Sequence, residues 1–321
     1  MFESLLVDQN PHWDGTLYQT GVARNLLNRV KEYLDLPHII ALVGVRRCGK
    51  STRARQTINH LIRDKGIAPR NILFLNLENP QFSRYRNDVS YLERAYNDYL
   101  KLVAPTRTVY CFLDEAHFFT EWQVFVKAKY EQKEIKFVVT GSNSHLLTSE
   151  FITILSGRAM PIEVYPFSFS EFVAAHGLQL ADSVDMIRER NRLRGLLDEY
   201  LRHGGFPEIT SIATSATEKE VLVMYARNIL YQDIAPRFAI KKAVDLENLF
   251  FYLASNITML YSFNKLGALV GLNDKTVNDY LSYFNDAYLL FTLDAFAFSV
   301  KEQIRSPKKV YAIDTGMVGA V

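Results

Sequence analysis

The sequence predicts an α/β fold, a parallel sheet followed by a helical half, and three observations carry that reading. Short apolar runs alternate with stretches of helical spacing from residue 39 to residue 165, the pattern of a parallel sheet covered on both faces. From Pro166 onward helical spacing takes over almost to the end. Between the first apolar run, Ile39-Ile40-Ala41-Leu42-Val43, and the first long helical stretch lies a glycine loop of spacing G-x-x-x-x-G-K-S, at Gly44, Gly49, Lys50 and Ser51.

That loop, completed by Val45, Arg46, Arg47, Cys48 and Thr52, points to phosphate binding. Gly44 and Gly49 lack a Cβ, so the backbone can wrap a phosphate with its N–H groups turned inward. The helix beginning there presents unpaired N–H groups and the positive end of its dipole. Lys50 would reach the β- and γ-phosphates, and the Ser51 hydroxyl would bind Mg²⁺.

The whole chain sets bounds on this reading. At 321 residues it is long enough for two or three domains. Lys+Arg at 37 against Asp+Glu at 35 gives a net charge of +2, so any nucleic-acid surface must be local rather than global. Two cysteines, Cys48 and Cys111, are no disulfide framework; they fit a reducing compartment, and a cytoplasmic location is expected. Cys48 reads as a small residue that fits the loop. The first ten residues lack a basic region and a long apolar core, so no signal peptide is expected. The most membrane-like stretch, residues 250–263, is too short and too polar to span a bilayer.

Taken in order, residues 1–20 carry little pattern. Residues 21–36 read as an amphipathic helix with Val22, Leu26, Leu27, Val30 and Leu34 on one face. After the loop strand and its helix, residues 71–78 form a second strand, 89–103 a helix, 108–113 a third strand, 121–132 a helix and 135–140 a fourth strand. Residues 159–165 supply a fifth. Helices follow at 167–176, 183–203, 218–231 and 244–255, interrupted by the turn Gly204-Gly205-Phe206-Pro207. Residues 262–272 and 273–284 are two short helices cornered at Gly271 and Asn273, a helix-turn-helix signature. Residues 287–300 and 309–314 read as a β-hairpin, which together with the helix pair suggests a winged helix.

The third strand ends in Asp114 and Glu115. Asp114 can hold Mg²⁺ through water, and Glu115 can polarise an attacking water as a general base. An Asp-Glu pair on the strand after next from the loop points to the P-loop NTPase class with an inserted strand, of sheet order 2-3-4-1-5. Ser142 and Asn143 at the end of the fourth strand either contact the γ-phosphate or its attacking water, or cap the next helix. Arg158 could place a guanidinium on the γ-phosphate, in cis or from a neighbouring subunit, or be a surface arginine. Arg46 and Arg47 can be simply solvated, and His117 reads as structural.

These residues together resemble a prokaryotic family of AAA-superfamily ATPases, in the branch that also contains the STAND-type signalling ATPases. The resemblance covers nearly the whole chain. It rests on the Gly-x-Arg-Arg-x-Gly-Lys-Ser loop, Phe112-Leu113-Asp114-Glu115, Thr140-Gly141-Ser142-Asn143-Ser144 and Leu155-Ser156-Gly157-Arg158. Pro166-Phe167-Ser168-Phe169-Ser170-Glu171-Phe172, Gly204-Gly205-Phe206-Pro207-Glu208, Tyr261-Ser262-Phe263-Asn264-Lys265-Leu266 and Ile313-Asp314-Thr315-Gly316 also match. The resemblance implies ATP as the nucleotide, with Mg²⁺, and a sensing role for Arg158. Members of that family usually continue into a domain resembling restriction endonucleases; this sequence stops at Val321, so no nuclease residues are assigned.

The expected organisation is an N-terminal segment (1–20), a P-loop ATPase domain (21–165), a helical lid or linker (166–243) and a winged-helix domain (244–321). The expected function is intracellular ATP hydrolysis by a slow nucleotide-dependent switch, with Lys50, Glu115, Arg158, Ser142 and Asn143 in the chemistry and Ser51 and Asp114 on the metal. A protein partner or self-association through the helical and winged-helix regions is the expected output. The competing reading is an ATP-gated DNA-binding or DNA-processing subunit. For it, the second short helix offers Lys275, Thr276 and Asn278 but also Asp274 and Asp279, and the hairpin offers Lys301, Arg305, Lys308 and Lys309 against Glu302.

Overall fold

The fold is that of a computed structural model, which describes residues 2–24, 27–133, 135–142, 155, 157–212 and 215–321. By internal contacts the chain forms two units, Met1–Gly44 with Gly49–Val164, and Val45–Cys48 with Tyr165–Val321.

The first unit is a parallel sheet of β1 (Ile39–Gly44), β2 (Ile72–Asn76), β3 (Val109–Asp114), β4 (Ile135–Ser142) and β5 (Ala159–Glu163). Its order is β2-β3-β4-β1-β5, the order expected from the Asp-Glu placement. Register aligns Gly44 with Ser142 and Asn76 with Asp114, so the loop and the acidic pair share the carboxyl edge. Every residue of β1 is buried, as a strand covered on both faces requires. The covering helices include α1 (Glu3–Gln9), α2 (Leu27–Leu34), α3 (Lys50–Arg63), α4 (Ser90–Val103) and α5 (Trp122–Glu131).

The N-terminal residues, patternless in sequence, have a defined place. β2 lies at one edge of the sheet, and side chains take up its outer backbone groups. Asn10 accepts the Phe74 N–H at 2.6 Å and donates to the Phe74 carbonyl at 3.0 Å. Gln9 accepts the Asn76 N–H at 2.7 Å, while the His12 and Trp13 ring N–H groups both reach the Ile72 carbonyl, at 3.1 and 2.8 Å. Burial keeps His12 neutral, its pKa pushed down to about 4. The chain then runs along α3, whose polar row Arg53, Gln56 and Asn59 grips it. Asn59 bonds both backbone groups of Tyr18, Gln56 donates to the Thr20 and Val22 carbonyls, and Arg53 donates to the Arg24 carbonyl. This grip corrects the predicted helix at 21–36: the carbonyls at 20, 22 and 24 are committed to α3, and the described helix starts at Leu27.

The second unit contains α6 (Phe169–Ala175), α7 (Ser183–Arg188), α8 (Arg190–His203), α9 (Ser215–Asn228), a π-helical turn at Ile229–Ile234, and α10 (Ala243–Ser255). A three-stranded antiparallel sheet follows, β6 (Leu260–Tyr261), β7 (Leu290–Leu293) and β8 (Lys308–Ala312), in the order β6-β8-β7. Between β6 and β7 stand α11 (Phe263–Val270) and α12 (Asp274–Asp286), turned at Gly271 with φ 72° and capped by the Asn273 side chain. The predicted hairpin strand at 287–300 is shorter in the structure. Pairing stops at Leu293 opposite Lys309, Asp294 turns to bind the Lys308 ammonium, and a short helix, α13, spans Val300–Arg305. The last helix, α14, is Thr315–Ala320.

Two segments distant in sequence meet here. The buried Asp314 carboxylate accepts N–H bonds from Gly205 at 2.7 Å and Gly316 at 2.9 Å. A Cβ at Gly204 would lie 1.9 Å from Asp314 Oδ1, and one at Gly316 would lie 2.1 Å from the His203 carbonyl. Only glycine fits either place, which accounts for Gly-Gly-Phe-Pro and Asp-Thr-Gly as two halves of one structural clasp.

Candidate nucleotide site

β1 runs into the glycine loop and α3 begins at Lys50, with Gly49 at φ 97° just before it. That left-handed geometry favours glycine and sets the helix N-terminus toward the loop. The Lys50 side chain is buried, and its ammonium donates to the Gly44 carbonyl at 3.1 Å. The Ser51 hydroxyl, at the start of α3, stands near the Asp114 carboxylate at the end of β3 and favours its ionised form.

Asp114 is buried at the end of β3. Thr140 of β4 donates its hydroxyl to Asp114 Oδ1 at 2.6 Å and accepts the Glu115 N–H at 3.0 Å. One threonine thus fixes both acids. Burial, with the Glu115 charge next, pushes the Asp114 carboxyl up to about 6, against the hydroxyl bonds and the Arg55 cation. Glu115 sits at φ 52°, a left-handed turn that takes its side chain out of the strand alternation. Its carboxylate lies 3.3 Å from His117 Nδ1, so His117 belongs to the acid's surroundings rather than to a remote core.

These residues fit ATP with Mg²⁺. Ser51 and Asp114 are hard oxygen donors placed near each other, the donor chemistry that Mg²⁺ takes. Among the described residues no group of three or more His, Cys, Asp or Glu forms a self-sufficient metal site.

Other predicted residues fall elsewhere. Asn143 lies outside the described residues; Ser142 ends β4, and its side chain is not described. Arg158 precedes β5, where its carbonyl accepts the Ile39 N–H at 2.8 Å. It is therefore at the amino edge of the sheet, a strand length of roughly 16 Å from the loop. Its guanidinium lies 3.6 Å from Glu131. This corrects the in-cis reading, because an arginine side chain cannot span that distance. Arg46 is not simply solvated: its Nη1 lies 2.9 Å from Asp233 Oδ1. Cys48 is fully buried in the loop. Sequence reasoning missed Thr140 as the hinge of the acidic pair, although it stands inside a family motif, and missed Asp233, which no motif marked.

Comparison with known proteins agrees with the geometry. A family model described as "AAA domain" matches residues 37–173, and one described as "Domain of unknown function (DUF8612)" matches residues 194–321. An uncharacterized protein of Haemophilus influenzae is 29% identical over 298 residues, 91% of this chain and 71% of its own length. Uncharacterized protein MJ1544 of Methanocaldococcus jannaschii is 30% identical over 321 residues, 98% of this chain and 67% of its own length. MJ1637 of the same organism is 22% identical, and this chain covers 63% of it. Solved structures superpose loosely. The Aeropyrum pernix ORC1 protein in complex with DNA has a TM-score of 0.36 at 12% identity, covering 93% of this chain and 92% of that one. A point mutant of Thermotoga maritima RuvB has a TM-score of 0.37 at 15% identity, covering 85% and 92%. The AAA match spans the loop and the acidic pair, and the MJ1544 alignment runs nearly end to end: residues 37–173 match an AAA domain, and the chain belongs to one family with MJ1544.

Proposed function

We propose that this protein binds ATP with Mg²⁺ and hydrolyses it to ADP and phosphate as a slow intracellular switch. The observation that carries the reading is the Thr140 hydroxyl, which donates to Asp114 and at the same time accepts the backbone N–H of Glu115, fixing both acids at the end of β3. Lys50 would leave the Gly44 carbonyl for the β- and γ-phosphates, and the amides at the start of α3 would hold the phosphate oxygens. Bound Mg²⁺ would supply charge neutralisation across those phosphates, held by Ser51 and Asp114. Glu115 would take a proton from the attacking water. Arg158, at the far edge of its own sheet, is available only to a neighbouring subunit's γ-phosphate, and self-association through that edge is part of the reading.

The helical and antiparallel-sheet part reads as a winged-helix output module. Phe296 and Phe298 are 86% and 99% exposed, which favours a protein partner. The DNA reading is weaker, since Lys308 of the hairpin is tied to Asp294 and Lys275 stands among Asp274 and Asp279. Two buried cysteines, with no disulfide between them, suit a cytoplasmic setting. The test is direct. Lys50→Ala should abolish nucleotide binding in a calorimetric titration. Glu115→Gln should keep binding and slow phosphate release by about 10²–10⁴-fold. Normal turnover by Glu115→Gln would remove Glu115 from the base role.

A further inference from the structure

The crown of the glycine loop, Val45–Cys48, falls within the second unit, and there its two arginines meet acidic groups. Arg46 Nη1 lies 2.9 Å from Asp233 Oδ1 and 3.5 Å from Gln232 Oε1. Asp233 is buried and sits on the π-helical turn Ile229–Ile234, while the Arg46 side chain is 26% exposed. Arg47 has a left-handed backbone at φ 69°; its guanidinium is 3.7 Å from Glu208 and 5.7 Å from the centre of the Tyr225 ring. Tyr225 in turn donates its hydroxyl to Glu208.

A π-helical turn inserts a residue into an α-helix and persists where the insertion aims a side chain. Here it aims a buried carboxylate at a loop guanidinium. A buried acid facing a cation is a directional contact, stronger than an exposed pair and costly to half-remove. Across the crown, the Cys48 N–H reaches the Val45 carbonyl at 3.4 Å, a long and therefore weak closure. The hold on its arginine side chains adds to that closure and comes from charge rather than from backbone pairing.

We propose that Asp233 is a positioning residue for the phosphate loop, fixing Arg46 and through it the crown conformation that turns the loop N–H groups toward phosphate. Its consequence for nucleotide binding rests on the ATP reading above; the contact and its hold on the crown do not. Glu208 and Tyr225 act on Arg47 as a second, more exposed hold.

The experiment compares wild type, Asp233→Asn, Arg46→Met and the double variant. Hydrogen exchange at the amides of residues 45–48 is followed without nucleotide, and Mg·ATP binding by calorimetry. Asp233→Asn keeps the shape of the π-helical turn and removes only the charge. Arg46→Met reports the same contact from a half-exposed side chain should Asp233→Asn fold poorly. Each single variant should exchange the crown amides about tenfold faster, with no further gain in the double variant, because both remove one contact. ATP affinity should fall about tenfold in each single variant and no further in the double. Unchanged exchange in either single variant, or additive effects in the double, overturns the proposal. Absence of ATP binding in wild type would sink the ATP reading instead, and the exchange result would still decide the role of Asp233.

Discussion

The two edges of the parallel sheet each bury a charge, and they treat it in opposite ways. At the carboxyl edge, Asp114 accepts the Thr140 hydroxyl and has the Ser51 hydroxyl nearby, groups that can rotate away and leave oxygen lone pairs for a metal. At the amino edge, Lys136 is saturated: its ammonium donates to the carbonyls of Tyr33, Leu36 and His38 at 2.7, 2.6 and 2.5 Å, closing the end of α2 against β1. Burial pushes the acid up to about 6 and the base down to about 8. A buried charge whose every bond is taken by backbone is structural. One whose bonds are exchangeable hydroxyls is poised for a ligand. The same edge that holds Lys136 carries Arg158, which explains why an arginine grouped with the site by its motif stands away from it in space.

Three changes would break or sharpen this contrast. The largest effect is expected from Asp114→Asn, which should cut Mg-dependent ATP turnover by about 10²-fold or more, since metal charge compensation is lost. Stability should move the other way. The folded-state pKa of Asp114 is raised, so the carboxylate costs stability at every pH above its folded value; removing the charge should gain up to about 3 kcal/mol at pH 7 in urea unfolding. Next comes Lys136→Met, which takes a charged donor from the carbonyls of Tyr33, Leu36 and His38 at once. Unfolding free energy should fall by about 3 kcal/mol or more, while Mg·ATP affinity of the folded protein stays within about twofold. A large affinity loss there would erase the distinction between the edges. The smallest effect is the pH dependence. Asp114 is a carboxylate above about pH 6 and protonated below it, so Mg·ATP affinity should hold from pH 8 to 7 and weaken as pH falls through 6. The loss should approach about tenfold per pH unit, measured by titration calorimetry at constant ionic strength.

The sheet order and the loop were legible because their signals are local. A strand, a glycine turn and a helix start are consecutive in sequence, and an acid pair at a strand end needs only its neighbours to be read. What escaped depends on distant partners. The predicted helix at 21–36 had the right apolar spacing, but the carbonyls before Leu27 were claimed by Gln56 and Arg53 from another element. Arg46 read as solvated because nothing in the loop's own sequence announces an acid 187 positions away. Gly204 and Gly316 read as motif residues without a reason until Asp314 and the His203 carbonyl stood against them. Thr140 was visible but ambiguous: its double role requires knowing that β4 lies next to β3.

The side chains along β2 carry a consequence for handling the protein. Gln9, Asn10, His12 and Trp13 do for this edge what another strand would do, without offering a further edge in turn. A design that trimmed the first twenty residues as featureless would expose an open, apolar strand ready to template pairing between molecules. The expected result is insoluble material with the nucleotide residues all intact, a failure of colloidal behaviour that activity motifs would never reveal.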